Sequence, residues 1–232
     1  ELTVKYGGKT LLELRNILGI DSKVKDIAAK CVIRMFGTDC KRLNQISDFT
    51  KAGIIAKTIT ITPRGGRTED MKLKHIDFEE WADRDADFED SEVYDYFCEH
   101  SFLCPIFCEP DSTDSSKTTF EGFKRFAFDE AFIENEVRRT WEDSRKLIHR
   151  NELEWEYVYD KQGNRRMNKS GSYMGAPNFP KSSDYKVFFR GGADISTEET
   201  RTESVNGIRM LPQFFWLKGS YIANKLKEIP YI

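Results

Sequence analysis

Residues 48–62 read DFTKAGIIAKTITIT, and this stretch decides the fold class. From Gly53 to Thr62 apolar and polar residues alternate, and the segment is rich in Ile and Thr, which predicts a strand. Residues two apart in a strand point the same way, so Lys57 shares a face with Ile55. The turn sequence PRGG at residues 63–66 ends the predicted strand. We therefore expect a largely apolar strand that presents a single lysine.

Helices are predicted on both sides of this strand. Thr10 and Glu13 have the spacing of a capping box before an apolar helical face at residues 11–18. The same periodicity predicts a second helix, capped by Asp21 or Ser22, with Val24 in its apolar stripe and its end at Phe36-Gly37. Further helices are predicted within residues 77–99, at 129–149 and at the C-terminus, 218–227. Apolar runs and alternating segments predict strands at 102–108, 120–128, 155–159 and 185–190. Strands separated by helices indicate a mixed α/β fold.

The composition is that of a soluble globular protein. The chain has 232 residues, of which 39% are hydrophobic and 32% charged. This balance excludes a disordered chain, and no apolar run reaches the ~20 residues of a membrane helix. The chain has no basic-then-apolar leader, so we expect no signal peptide. An odd count of five cysteines predicts reduced thiols and a cytoplasmic location. Because Glu1 is not a methionine, we expect a processed product or part of a longer chain.

Charge is distributed unevenly along the chain. Residues 1–67 contain 13 Lys and Arg against 6 Asp and Glu, and residues 161–190 contain 7 against 1. The intervening residues 68–160 contain 11 against 27. The two basic stretches could share a face that binds nucleic acid, with the acidic middle turned away. The alternative is that all three are ordinary solvated surfaces.

Two local patterns favour structural roles over chemical ones. Gly8-Lys9-Thr10 resembles the end of a phosphate-binding loop, but position 3 is Thr where that motif requires Gly, and the capping box already explains Thr10. A second pattern is the group Cys98, His100, Cys104 and Cys108, which lacks the paired spacing typical of zinc sites. We expect core packing for these cysteines. No Ser or Cys motif accompanies a histidine, so no nucleophilic triad is predicted.

Asp48 and Lys57 have the spacing of a nuclease metal site. Many Mg-dependent nucleases place an Asp before a strand that carries Glu-x-Lys, where Asp and Glu hold the metal and Lys faces the attacking water. Here the Glu position is Ile55. An aliphatic side chain offers no oxygen to Mg²⁺, which takes oxygen ligands. Taken alone, this stretch indicates a strand with one lysine.

Five short motifs follow one another along nearly the whole chain. They are IRMFG at residues 33–37, DFTKAGIIAK at 48–57, NFPKSSD at 178–184, FFR at 188–190, and QFFWLK at 213–218 with Tyr221. Their order and spacing resemble the MutH family, and most closely the C-terminal half of the Sau-type type II restriction endonucleases, which cut GATC. The resemblance implies a restriction-endonuclease-like (PD-(D/E)xK, MutH-type) α/β fold with a mixed central sheet flanked by helices. Residues 1–232 would form a single MutH-like domain, the C-terminal part of a longer restriction endonuclease.

The resemblance also implies a degenerate metal site. Ile33 and Ile55 stand where the family has glutamates, while Asp48 and Lys57 remain as remnants. A single carboxylate rarely holds Mg²⁺ productively. We therefore expect no catalytic residues, no metal and no cofactor in this domain, with Mg²⁺ serving the catalytic domain of the parent enzyme.

DNA-contacting residues are implied position by position. Arg190 lies at the family's base-contacting arginine, whose fork suits guanine O6 and N7. Gly191 stands where the family usually has Pro, and Trp216 where it has a Tyr near the adenine of GATC; a core aromatic is the alternative for Trp216. Phosphate contacts, for which solvated surface residues are the alternative, would come from Lys57, Arg165, Arg166, Lys181, Ser182 and Lys218.

The function implied by the resemblance is that of a non-catalytic, allosteric effector domain. It would bind double-stranded GATC DNA and license cleavage by a catalytic MutH-like domain in the same parent chain, with dimerisation on two DNA sites and no membrane partner. Two rival functions stay open. One is an active Mg-dependent endonuclease in which Asp70, Asp77 or Glu79 replaces the missing carboxylate. The other is a protein-interaction module that has lost DNA binding.

Overall fold

The computed structural model describes residues 1–21, 26–67, 69–193 and 195–232. The helices are α1 (Leu2–Tyr6), α2 (Leu11–Ile17), α3 (Ile27–Met35), α4 (Ser47–Lys51), α5 (Phe78–Ala82), α6 (Glu92–Glu99), α7 (Glu130–Phe132), α8 (Arg138–His149) and α9 (Gly219–Lys227). The strands are β1 (Ile54–Ala56), β2 (Ile59–Ile61), β3 (Met71–His75), β4 (Ser101–Cys108), β5 (Thr119–Ala127), β6 (Trp155–Tyr157), β7 (Gly175–Pro177), β8 (Val187–Gly191), β9 (Glu203–Val205), β10 (Ile208–Met210) and β11 (Gln213–Leu217). Short 3-10 turns cover Leu43–Gln45 and Ser115–Lys117, and a π-helical segment, Ile133–Val137, joins α7 to α8. The mixed α/β class predicted from the sequence is confirmed.

The chain forms two compact units. Unit 1 comprises residues Glu1–Glu69, Phe97–Phe128 and Gly219–Ile232, and unit 2 comprises Asp70–Tyr96 and Asp129–Lys218. That both units belong to a single domain stays a prediction. Among the described residues, no helix combines the length and hydropathy needed to cross a bilayer.

Unit 1 is built on a mixed sheet around β4. Strands β1 and β2 run parallel to β4 along one of its edges, and β5 runs antiparallel along the other. Leu103 and Phe107 of β4 join an apolar cluster with residues of α2 and α3, whereas the alternate Phe102, Cys104 and Ile106 point to the opposite face. Burial on both faces explains why β4 is almost continuously apolar.

The prediction of a single strand over residues 53–62 is wrong in one respect, because the strand is interrupted at Lys57 and Thr58. β1 and β2 keep one register on β4, with Ile54 opposite Ser101 and Ile59 opposite Ile106. The Lys57 N–H donates to the Leu103 carbonyl at 3.0 Å. The next bond in a parallel ladder would run from the N–H of residue 105 to the Lys57 carbonyl, but residue 105 is proline and has no N–H. The ladder is therefore interrupted at Lys57.

The capping box that opens α2 is confirmed. The Thr10 N–H donates to Glu13 Oε2 at 2.8 Å, and the Glu13 N–H donates to Thr10 Oγ1 at 3.2 Å. The bonds that the Thr10 N–H and the Thr10 hydroxyl donate to the carboxylate hold the pKa of the Glu13 carboxyl below its usual range. The N-cap of α3 is Asp26 rather than Asp21, with its carboxylate accepting from the Ala29 N–H at 3.2 Å. Ser22 and Val24, also predicted at this end, lie outside the described residues.

Thr10→Ala is expected to lower the free energy of unfolding by about 1 kcal/mol, because the exposed N–H groups of the first turn of α2 lose a partner. Thr10→Ser is the control and keeps most of the stability. Urea denaturation followed by circular dichroism measures both. A phosphate-binding role for this turn would instead require that Thr10→Ala change nucleotide binding, which we do not expect.

Unit 2 is centred on the antiparallel sheet β3-β11-β8. Trp81 of α5 is fully buried beneath this sheet, with ring centroids 5.3 Å from Phe189, 5.6 Å from Phe215 and 6.2 Å from Trp141. Helix α8 is tied to β8 by Thr140 Oγ1, which donates to the Val187 carbonyl at 2.8 Å. Two smaller hairpins, β6-β7 and β9-β10, complete the unit. The buried aromatic cluster thus supports a sheet whose other face is available for contacts.

Candidate functional site

The outer face of the unit 2 sheet presents aromatic and basic side chains. In β11, Gln213, Phe215 and Leu217 are buried, whereas Phe214 and Trp216 are only partly buried and point the other way. Arg190 of β8 lies directly opposite Phe214 in the ladder, so it shares this face. Lys72 of β3 lies opposite Trp216. The alternation of β11 therefore places the predicted residues Arg190 and Trp216 on one surface.

Arg190 and Trp216 contact each other directly. The Trp216 indole N–H donates to the Arg190 carbonyl at 3.1 Å, and the Arg190 guanidinium carbon lies 5.1 Å from the centroid of the Trp216 ring. One guanidinium nitrogen lies 3.5 Å from Asp70 Oδ2. The Arg190 side chain is 59% exposed, so most of its fork faces solvent. The pair places a planar cation beside a planar apolar ring, and a hydrogen bond to the Arg190 backbone holds the ring in position.

Lys72 and Gly192 complete the edge of this face and were missed by the sequence analysis. Lys72 Nζ lies 3.4 Å from the centre of the Phe214 ring and donates to the Gly192 carbonyl at 3.4 Å. A Cβ at Gly192 would lie 2.1 Å from the nearest atom of that ring, so any other residue would have to displace the Phe214 side chain. The signal for Lys72 was the alternation MKLKH at residues 71–75, which is typical of a strand.

A cleft beside Arg190 gathers three of the predicted DNA contacts. It has a volume of about 370 Å³ and is lined by Asp70, Ala176, Pro177, Phe179, Lys181, Ser182, Phe188, Phe189, Arg190, Gly191 and Gln213. Lys181 forms an ion pair with Glu156. The structure therefore brings Lys181, Ser182 and Arg190 together, although their positions span ten residues of loop and strand.

The other predicted phosphate contacts do not line this cleft. Arg165 and Arg166 are exposed on the segment between β6 and β7, where the Arg165 guanidinium carbon lies 3.9 Å from the centre of the Tyr157 ring. Lys218 follows β11 and donates its backbone N–H to the Lys186 carbonyl at 2.8 Å. These three residues stay predictions for a wider contact surface.

The metal-site positions of the resemblance lie in unit 1. Ile33 is 2% exposed and packs in the apolar cluster of α3, and Ile55 is the middle residue of β1. Asp48 is exposed in the first turn of α4. Ile33 and Lys57 line a common cleft, but neither Asp48 nor Ile55 is among its described lining residues. The structure thus brings together only part of the predicted set.

That unit 1 cleft has a volume of about 750 Å³. It is lined by Asp26, Ala29, Lys30, Ile33, Lys41, Arg42, Leu43, Asn44, Gln45, Ala56, Lys57 and Thr58. The one carboxylate among its described lining residues, Asp26, already caps α3. Mg²⁺ requires several oxygen ligands, so the residues present do not fit this ion. Across the described ranges, no group of three His, Cys, Asp or Glu side chains could hold a metal ion.

Two of the three carboxylates proposed as replacements, Asp70 and Asp77, have other partners. Asp70 approaches Arg190 in unit 2, and Asp77 caps α5 by accepting the Glu79 N–H at 2.9 Å. Among the cysteines of residues 98–108, Cys104 is fully buried, and burial raises the pKa of its thiol to about 12. Core packing is therefore confirmed for Cys104, whereas Cys98 is exposed.

Comparison with known proteins gives a distant relationship. No family model matches the sequence. The chain is similar to the type II restriction enzyme Sau3AI of Staphylococcus aureus, with 25% identity over 224 residues. The match covers 87% of this chain and 44% of that enzyme, so the chain spans less than half the length of its relative. This similarity supports a restriction-endonuclease-like relationship.

Proposed function

We propose that the chain is a non-catalytic domain that binds double-stranded DNA at GATC-type sequences and acts as an allosteric effector of a type II restriction endonuclease. The observation on which the proposal rests is that Arg190 contacts Trp216 and lines a cleft together with Lys181 and Ser182. In this proposal the fold is the MutH-type restriction-endonuclease fold, and residues 1–232 form one domain.

The chemistry of the unit 2 face suits a base edge beside a phosphate backbone. An arginine fork can donate to guanine O6 and N7 together, and a neighbouring indole can contact an adjacent base or its methyl group. Lys181 and Ser182 offer a charge and a hydroxyl to phosphates, which position the protein without specifying sequence. Arg165, Arg166, Lys57 and Lys218 are proposed as further phosphate contacts.

The unit 1 cleft supports the non-catalytic part of the proposal. Strand cleavage would need carboxylates around a divalent ion, and the two family glutamate positions are the aliphatic Ile33 and Ile55. We propose that Mg²⁺ serves a catalytic MutH-like domain of the parent chain. DNA binding to the present domain would shift the equilibrium between the inactive and active states of that catalytic domain. Two DNA sites would be paired in a dimer. A cytoplasmic location and the absence of a membrane partner belong to the same proposal.

The proposal is tested by binding the chain to labelled duplexes with and without GATC, across a salt series, with Mg²⁺ present and cleavage followed in the same samples. We expect salt-dependent binding that prefers GATC and leaves the DNA intact. Cleavage by the purified chain would establish the rival endonuclease. Absence of DNA binding would favour the protein-interaction module.

A further inference from the structure

We propose that the unit 1 cleft, which lies at the family's metal-site position, binds a phosphate group instead of a metal ion. The inference deepens the proposed function where the phosphate belongs to DNA, and rests on it to that extent. It starts from the charged side chains that line the cleft, most of which are cationic. Among the described lining residues, Lys30, Lys41, Arg42 and Lys57 stand against one carboxylate, Asp26.

An acidic residue outside the lining, Asp39, does not neutralise this charge. Asp39 forms ion pairs with Lys30 and with Arg34, whose Nη2 lies 3.0 Å from Asp39 Oδ2. The hydrogen bond from Lys30 holds the pKa of the Asp39 carboxyl below its usual range. One carboxylate is therefore shared by two cations, and the cleft retains an excess of positive charge that attracts an anion.

Two carboxamides in the lining are oriented with their oxygens already in use. Asn44 Oδ1 accepts from the Ala56 N–H at 2.8 Å. Gln45 Oε1 accepts from the N–H groups of Lys41 and Arg42, each at 3.1 Å. These backbone N–H donors thus fix the orientation of each side-chain amide. The NH2 group of each amide is the end that can donate to a ligand.

Thr58 also lines the cleft. Its Oγ1 is buried and has no hydrogen-bond partner among the described residues. A buried hydroxyl without a partner is costly, and a ligand oxygen would satisfy it. Cations, amide NH2 groups and a hydroxyl form a donor-rich lining, which suits the three or four oxygens of a phosphate and repels a divalent cation.

The first test records backbone amide NMR spectra of the full chain in sodium phosphate and in sodium chloride of equal ionic strength. We expect phosphate-specific shifts at residues 41–45 and 57–58. The paired change Lys41→Ala with Arg42→Ala is expected to weaken phosphate binding at least about tenfold, because two cations that can donate to the phosphate are lost. The backbone bonds to Gln45 do not depend on these side chains, so the local fold is kept.

A matched control and a duplex titration identify the source of the phosphate. Lys51→Ala with Arg64→Ala removes the same charge from exposed positions of unit 1 outside the cleft. If the phosphate is nucleic-acid backbone, only the cleft variant flattens the salt slope of duplex binding, by about two units. If it is free phosphate, the cleft variant loses phosphate shifts and keeps duplex affinity.

The inference is overturned if chloride gives the same shifts as phosphate, if Mg²⁺ moves these amides and phosphate does not, or if the control variant behaves like the cleft variant. Failure of the proposed function is a separate result. It would appear as absence of GATC preference in the unmodified chain, which leaves the phosphate shifts of unit 1 unaffected.

Discussion

Arg190→Ala is expected to lower the preference of the chain for GATC over a scrambled duplex by about 1–3 kcal/mol, which is roughly 5- to 150-fold in the ratio of dissociation constants. The reason is that the exposed fork of Arg190 contacts a base, and a base contact discriminates between sequences. Fluorescence anisotropy with two labelled duplexes at one salt concentration measures the ratio directly.

Two controls separate base recognition from simple loss of charge. Arg190→Lys keeps the charge but not the planar fork, so it should lose most of the preference. Lys181 lines the same cleft as Arg190. Because Lys181→Ala removes one charge and no base contact, it should weaken binding to both duplexes alike. Equal loss on both duplexes for Arg190→Ala would reject the base-reading role and leave Arg190 as a phosphate contact.

Phe215→Ala is expected to lower the free energy of unfolding of unit 2 by about 3–5 kcal/mol. Phe215 is fully buried, and its ring centroid lies 5.1 Å from that of Phe189 and 5.6 Å from that of Trp81. Truncation leaves a cavity in the middle of this aromatic cluster. All four tryptophans lie in unit 2, so urea denaturation followed by tryptophan fluorescence reports on that unit alone.

Trp216→Ala is the matched variant, one residue further along β11. Because Trp216 lies on the outer face, we expect a much smaller loss of stability and a clear loss of GATC preference. The two variants should therefore have different effects. Phe215→Ala should mainly lower stability, and Trp216→Ala should mainly lower DNA discrimination. A loss of stability at Trp216 equal to that at Phe215 would make Trp216 a core aromatic, the alternative left open by the sequence.

Local signals in the sequence predicted the longer elements well. The capping box at Thr10, the apolar run of β4 and the alternating phenylalanines of β5 each determine structure from neighbouring residues. The strands β7, β9 and β10 were missed because three residues give too little periodicity to distinguish a strand from a loop. β3 and β11 were also missed, although each alternates over five residues.

The candidate sites depend on contacts that local patterns do not contain. Asp70 and Arg190 meet across 120 positions of the chain, and only pairing of β3, β11 and β8 places them on one unit. The break in the predicted strand at Lys57 likewise depends on Pro105, which belongs to a different strand. Family resemblance supplied Arg190 and Trp216, but it did not indicate Lys72, Lys41 or Arg42.

The bond between Asn44 and Ala56 has a consequence for solubility. Among the described residues β1 pairs with β4 alone, so its other edge has no strand partner. The Ala56 N–H points away from the sheet at this edge. Exposed strand edges recruit strands from other molecules, and proteins suppress this by covering the edge. The Asn44 carboxamide covers this N–H. The segment 41–45, which lines the cleft, therefore also blocks a hydrogen-bonding position of this edge and disfavours edge-to-edge aggregation.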